Sequence, residues 1–339
     1  MSRRRRSGCG GCFLIPVLLA AGGAAALYFS LGQRYQGFSE PVILEFPKGT
    51  STSGMAVELA KSSVIRGRWQ FLLARALRPA ARLQAGEYKF DKPESVWEVY
   101  SRIARGDVFY YEITVPEGSN IFDIAQIVDR SGLVKGADLL KIARSPALIR
   151  DLAPRAPSLE GYLFPSTYRV TRSVTAPLLA RMMTDQFRKR WRELQEHHQI
   201  KEPVNEAVTL ASLVEKETAV PAERPLVASV YRNRLRDGVA LDCDPTTIYA
   251  ALLEERYRGT IYRSDLASDN AYNTYRHSGL PPGPIASPGM ASLEAAVTPA
   301  ETNYIYFVAK PDGSGGHNFS ATLAEHNRAV AMYRKAQGR

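Results

Sequence analysis

Cysteine is scarce in this chain, three residues in 339. Cys9 and Cys12 sit together near the N-terminus, which leaves Cys243 alone in all that follows. One cysteine cannot close an internal disulfide, so the fold there must stand on packing. The segment GCGGC (8–12) spells C-x-x-C but has no second pair and no domain around it. It is read as a flexible stretch or an acylation site, not as a ligand set. Histidine is also sparse, and His277, His317 and His326 lack metal-ligand spacing. No G-x-S-x-G elbow is present, and GSGG (313–316) lacks the Lys-Ser/Thr and following helix of a phosphate loop. No metal and no cofactor are expected.

Acidic residues are outnumbered, 34 against 44 basic ones, for a net charge of +10. Such a surplus suits a negative partner surface. No nucleic-acid motif accompanies it, so no nucleic-acid partner is expected. Four of the arginines stand together at Arg3–Arg6, ahead of an uncharged run, FLIPVLLAAGGAAALYFSL, from Phe13 to Leu31. About 19 apolar residues just span a bilayer core. The basic side of such a run stays in the cytoplasm. Residues 1–12 then form a cytoplasmic tail, 13–31 a single-pass anchor, and the rest lies outside the cytoplasm. A cleaved signal peptide is the competing reading, with small residues at 24–26 as its cleavage site.

An internal repeat follows. PKGTSTSGMAVELAKSSVIRG starts at Pro47 and PEGSNIFDIAQIVDRSGLVKG at Pro116, an ungapped offset of 69 residues. Each copy reads as a strand (VILEF, YEITV), a Pro-x-Gly turn and a short amphipathic helix. Residues 40–137 are therefore expected to form a small α+β module. The strand, turn and helix order resembles the LysM fold, a glycan binder; a packing scaffold explains the repeat equally well.

Farther on, VTLASLVEKETAV (208–220) seats a carboxylate on an apolar helical face. At about 100° per residue, Ala207, Leu210, Leu213 and Val214 share one stripe, and Glu217 falls within roughly 20° of its centre. Glu215 points about 140° away, toward water, and Lys216 also faces solvent. A carboxyl pressed against apolar neighbours holds its proton more tightly, as a general acid must. Glu217 as a cap of the stripe, salt-bridged to a neighbour, is the alternative. Glu160, in LEGYLFPSTYRV (159–170), stands among Tyr162, Phe164 and Tyr168, which suits either sugar binding or a packed turn. After residue 207 polar and aromatic residues gather on Gly/Pro-rich loops, Asp244, Thr246, Tyr249, Tyr272, Asn273 and Tyr275 among them, making a plausible polysaccharide cleft.

The ordered series LEGYLFP, ASLVEKETA, ERPLVASVYRNRL, DPTTIY, AYNTY, GLPPGPIASPG and HNFSATLAEHN resembles the membrane-bound endolytic murein transglycosylases, the MltG or YceG-like family. The resemblance covers nearly all of the chain beyond the apolar run. It implies an α+β protein with a LysM-like module and a catalytic domain at 150–339. It implies that the second glutamate of EKET, Glu217, is the catalytic acid and base. It also implies cleavage of the MurNAc-β-1,4-GlcNAc bond of nascent peptidoglycan strands without water, leaving 1,6-anhydroMurNAc ends. One carboxyl suffices there, because the sugar's own 6-hydroxyl replaces the water or nucleophile of two-carboxylate hydrolases. Expected substrate-binding residues are Glu160, Tyr231, Asn233, Asp244, Thr246, Tyr249, Tyr272, Asn273 and Tyr275. Peptidoglycan synthases are implied as partners. Cys243 and Ser166 depart from the family pattern, which has a polar residue before DPT and an Asp after LEGYLFP. Two rivals remain: a muramidase with Asp244 or Glu160 as second carboxylate, and a non-catalytic glycan-binding tether.

Overall fold

The computed structural model describes residues 11–338, with side chains from Pro16 onward. The basic tail Arg3–Arg6 and Cys9 lie outside the described residues. Helix α1 (Gly11–Gly32) contains the uncharged run. From Pro16 it is largely exposed, with Val17, Leu18, Leu19 and Phe29 outward, until Leu31 enters a core. Among the described residues no helix is long and apolar enough to cross a membrane. The expected span at 13–31 starts in residues whose side chains are not described.

The chain divides into two compact units between Tyr111 and Glu112. In the first, β1 (Val42–Phe46), α2 (Thr52–Lys61), α3 (Arg68–Leu77), β2 (Gly86–Phe90) and α4 (Val96–Arg105) follow α1. β1 and β2 pair antiparallel, Leu44 opposite Tyr88. Alternation along β1 sends Leu44 and Phe46 inward, onto Met55, Leu59, Phe71, Phe90 and Tyr100. Ser51 caps α2 by accepting the Gly54 N–H, and Ser95 with Glu98 forms a capping box on α4.

The second unit contains β4 (Ser166–Val170), which pairs with β3 (Tyr111–Val115), and α5 (Ile121–Arg130) with α6 (Gly136–Ala143). α7 (Ala176–His197) and α8 (Val204–Glu217) come next, then α9 (Arg224–Arg236), α10 (Asp244–Leu253), the single turn α11 (Arg263–Leu266) and α12 (Met290–Val297). A hairpin of β5 (Tyr306–Ala309) and β6 (His317–Ser320), then α13 (Leu323–Ala336), complete it. The architecture is mixed α+β, helix-rich, with small two-stranded sheets.

The sequence repeat survives in three dimensions. β1 and β3 both begin and end 69 residues apart, as do α2 and α5. Gly49 and Gly118 both take left-handed φ, +91° and +74°, in the matching turns. Ser51 and Asn120 cap the matching helices. The unit division nevertheless falls between the copies, because β1 pairs with β2 and β3 with β4.

α8 is the centre of the second unit, packed on α9, α10 and α12. Ala207 through Val214 are all buried, so apolar and small residues face protein on every side. This overturns the expectation for Glu215. Its side chain is 8% exposed, 3.5 Å from Arg224, and accepts the Gly289 N–H at 3.0 Å. A one-sided stripe leaves a solvent face, and α8 has none between Ala207 and Val214. Lys216 is exposed, with its Nζ on the Gly118 carbonyl at 3.2 Å.

Candidate active site

Glu217 is the last residue of α8, and Thr218 closes the helix by donating its hydroxyl to the Val214 carbonyl at 2.7 Å. The Cys243 thiol donates to Glu217 Oε1 at 3.3 Å, and the Tyr231 hydroxyl also bonds the carboxyl. Burial pushes the Glu217 carboxyl above the usual carboxylate range, and the nearby Asp244 charge pushes the same way. The negative end of the α8 dipole adds to both. The donors Cys243 and Tyr231 and the neighbouring His317 pull in the opposite direction. Burial likewise lifts the Cys243 thiol and Tyr231 hydroxyl well above their ordinary values, so both stay protonated as donors.

Cys243 ties the acid to the loop after α11. Its backbone N–H donates to Thr274 Oγ1 at 3.0 Å, and its carbonyl accepts the Thr246 hydroxyl at 2.6 Å. The Thr246 and Thr274 hydroxyls meet at 2.9 Å. Asp244 starts α10, where the helix dipole favours an anion, and accepts the Tyr275 hydroxyl at 2.7 Å. Of the predicted residues, then, Tyr231, Asp244, Thr246 and Tyr275 gather around Glu217 and Cys243. Tyr275 is 39% exposed and Asp244 is exposed, so this end of the site opens to solvent.

The others sit behind it. Asn273 is fully buried and donates to the carbonyls of Leu266 and Ser268, fixing the loop's path. Asn233 donates to the Thr302 and Tyr304 carbonyls, at 2.9 and 2.8 Å, holding the approach to β5. Glu160 is fully buried; Oε2 accepts the Ile121 N–H at 2.9 Å and caps α5. Tyr249 bonds it and lies 5.0 Å, ring to ring, from Tyr272. Burial pushes the Glu160 carboxyl up to about 8, against the pull of these donors. This Glu160–Tyr249–Tyr272 cluster is enclosed and presents no open carboxylate.

Two residues of the site escaped residue-level reading. Glu223, just after the segment 208–220, is 8% exposed and holds His317 by its backbone N–H and by Nδ1, the latter at 2.7 Å. His317 lacks metal-ligand spacing in the sequence. Its signal was position within HNFSATLAEHN, one of the motifs that carry the resemblance. Among the described residues, no group of three or more metal-ligating side chains is assembled.

The YceG-like family model matches residues 44–332. The chain is 33% identical over 312 residues to the endolytic murein transglycosylase of Bacillus subtilis strain 168, covering 86% of this chain and 84% of that protein. It is 29% identical over 322 residues to the protein of the same name from Streptococcus pneumoniae serotype 2 strain D39, covering 86% of this chain and 58% of that one. A crystal structure of a yceG-like protein from Listeria monocytogenes aligns with a TM-score of 0.56 at 30% identity. That alignment covers 85% of this chain and 99% of the Listeria chain.

Proposed function

Because the chain belongs to the YceG-like family, we infer that it is an endolytic lytic transglycosylase acting on peptidoglycan, with Glu217 as its acid and base. The observation that carries this reading is the setting of Glu217: a carboxyl raised by burial, held by a thiol and a phenol donor, at the open edge of the second unit. Protonated Glu217 donates to the oxygen between MurNAc and GlcNAc. The resulting carboxylate takes the proton from the muramyl 6-hydroxyl, which closes on C1 to give the 1,6-anhydro end. The proton returns to Glu217 in the same turnover, so no water and no second carboxylate are consumed. Tyr231 and Cys243 hold the carboxyl in both states, and Tyr275 and Asp244 line the mouth where the sugar enters.

The muramidase alternative needs a second carboxylate beside the scissile bond. Glu160 is a poor candidate, since both its oxygens accept backbone N–H groups inside the protein. Asp244 is the remaining one. Product masses separate the two reactions. Anhydro ends lost in Glu217→Gln support the transglycosylase, and water-adducted reducing ends sink it.

Further parts of the reading concern location. An N-terminal anchor at 13–31 holds the enzyme at the outer face of the bacterial inner membrane, where it shortens nascent strands beside the synthases and serves growth and division. The uncharged run and the outward apolar side chains of α1 support it. A LysM-like role for residues 40–137, as a glycan-holding module, is supported by the repeated strand, turn and helix and by the exposed Pro-x-Gly turn at 47–49. Extraction of the full chain from membranes by alkaline carbonate would refute the anchor. Glycan-strand binding unchanged by a Lys48→Glu substitution in the turn would refute the module.

A further inference from the structure

A carboxyl that is first acid and then base must both hold and release its proton. Around Glu217, burial and Asp244 favour the protonated form, while Cys243, Tyr231 and His317 favour the carboxylate. His317 is itself held by a second acid. Both Glu223 oxygens accept the His317 backbone N–H at 3.0 Å, and Glu223 Oε2 lies 2.7 Å from Nδ1. A carboxylate accepts, so Nδ1 carries a proton. Each side chain of this pair is 11% exposed.

The surroundings fix the imidazole near the acid. Phe307 stands edge-on to His317 at 5.3 Å and edge-on to Tyr231 at 6.0 Å, and Tyr231 bonds Glu217. The hairpin loop packs on the segment after the acid, where a Cβ at Gly315 would lie 3.5 Å from that of Ala219. Of the other charged groups here, Lys310 reaches the same turn, its Nζ 3.5 Å from a Cβ built on Gly316, with Glu223 Oε1 at 2.9 Å from that point. Asp244 acts on Glu217 from α10, in the opposite sense.

We propose that Glu223 and His317 are a positioning pair for Glu217: Glu223 holds the ring through its Nδ1–H and balances its charge, and the ring, as imidazolium, steadies the Glu217 carboxylate once its proton has left. The proposal rests on Glu217 being the acid. Neither residue need touch the sugar.

The test compares full-chain wild type, Glu217→Gln, His317→Gln and Glu223→Ala on purified glycan strands between about pH 5 and 9. His317→Gln lowers kcat about tenfold with KM unchanged and moves the alkaline limb of the profile up by about one pH unit. The direction follows because Glu217, without its neighbour, keeps its proton to higher pH. Glu223→Ala moves the limb the same way by less, and it carries the comparison if His317→Gln does not fold. Limbs that superimpose on wild type overturn the proposal while an inactive Glu217→Gln leaves the acid assignment standing. A raised KM with kcat intact also overturns it, marking His317 as a substrate contact. Cleavage by Glu217→Gln overturns both.

Discussion

Cys243 presents its thiol to Glu217, Sγ 3.3 Å from Oε1, and the same residue precedes α10 and bonds Thr274 through its N–H. A single residue thus joins Glu217, the start of a helix and the loop at 272–275. The sulfur is a weak donor, where a hydroxyl would be a stronger one. Cys243→Ser therefore stabilises the Glu217 carboxylate and moves the alkaline limb of the cleavage profile down. Cys243→Ala removes the donor and moves it up. Each shift is expected to be below about one pH unit. Identical profiles for the two variants would show that the thiol exerts no control over the acid.

Glu215, two residues before the acid, does different work. It pairs with Arg224 at 3.5 Å, with side chains 8% and 12% exposed, and receives the Gly289 N–H. Arg224 also donates to Ser292, so the pair joins α8, α9 and α12. Removing one partner of a buried pair leaves the other charge uncompensated, at a cost of about 3 kcal/mol. Glu215→Ala should lower the denaturation midpoint by that measure while folded protein keeps its kcat. A stable but inactive Glu215→Ala would move Glu215 into the chemistry.

The contrast between these glutamates shows what the sequence could reveal. The position of Glu217 followed from helical spacing, and β1, α3, β2 and α4 were legible from alternation, caps and the repeat. The wheel failed at Glu215 because it assumes one buried face, whereas α8 is enclosed by three helices from different parts of the chain. Burial of that kind is a property of topology. Glu160, Asn233 and Asn273 read as polar cleft residues for a related reason. Their side chains satisfy backbone groups as far as 39 and 71 positions away, and no local pattern records such pairings. The Glu223–His317 pair spans 94 positions and was equally hidden.

Glu160 makes a pH prediction. Its carboxyl titrates at about 8 in the folded chain, against an ordinary 4.5, with burial as the main cause. The folded state therefore holds a proton that the unfolded chain has lost between those values. The favourable contribution is complete below about pH 4.5 and is lost as pH rises toward 8, at about 1.4 kcal/mol per pH unit across the window. Glu160→Gln, which cannot ionise, should lose less stability than wild type between pH 5 and pH 8 in urea denaturation. Parallel pH dependences of the two proteins would place the raised titration elsewhere.

Gly161, next in the LEGYLFP segment, meets two constraints at once. Its φ is +82°, and a Cβ there would approach Pro284 to 2.5 Å and Val208 of α8 to 3.0 Å. The left-handed conformation alone costs an L-residue about 1 kcal/mol. Forcing a methyl between a proline ring and α8 adds about 1–3 kcal/mol of overpacking. Gly49 supplies the control, since its φ is +91° but open space surrounds it. Gly49→Ala should therefore lose only the conformational part. Gly161→Ala should lose the sum, and with it activity, because Val208 lies on the same helix that ends in Glu217. Equal losses of stability in the two variants would mean that Pro284 yields freely, and that this contact does not hold α8 in place.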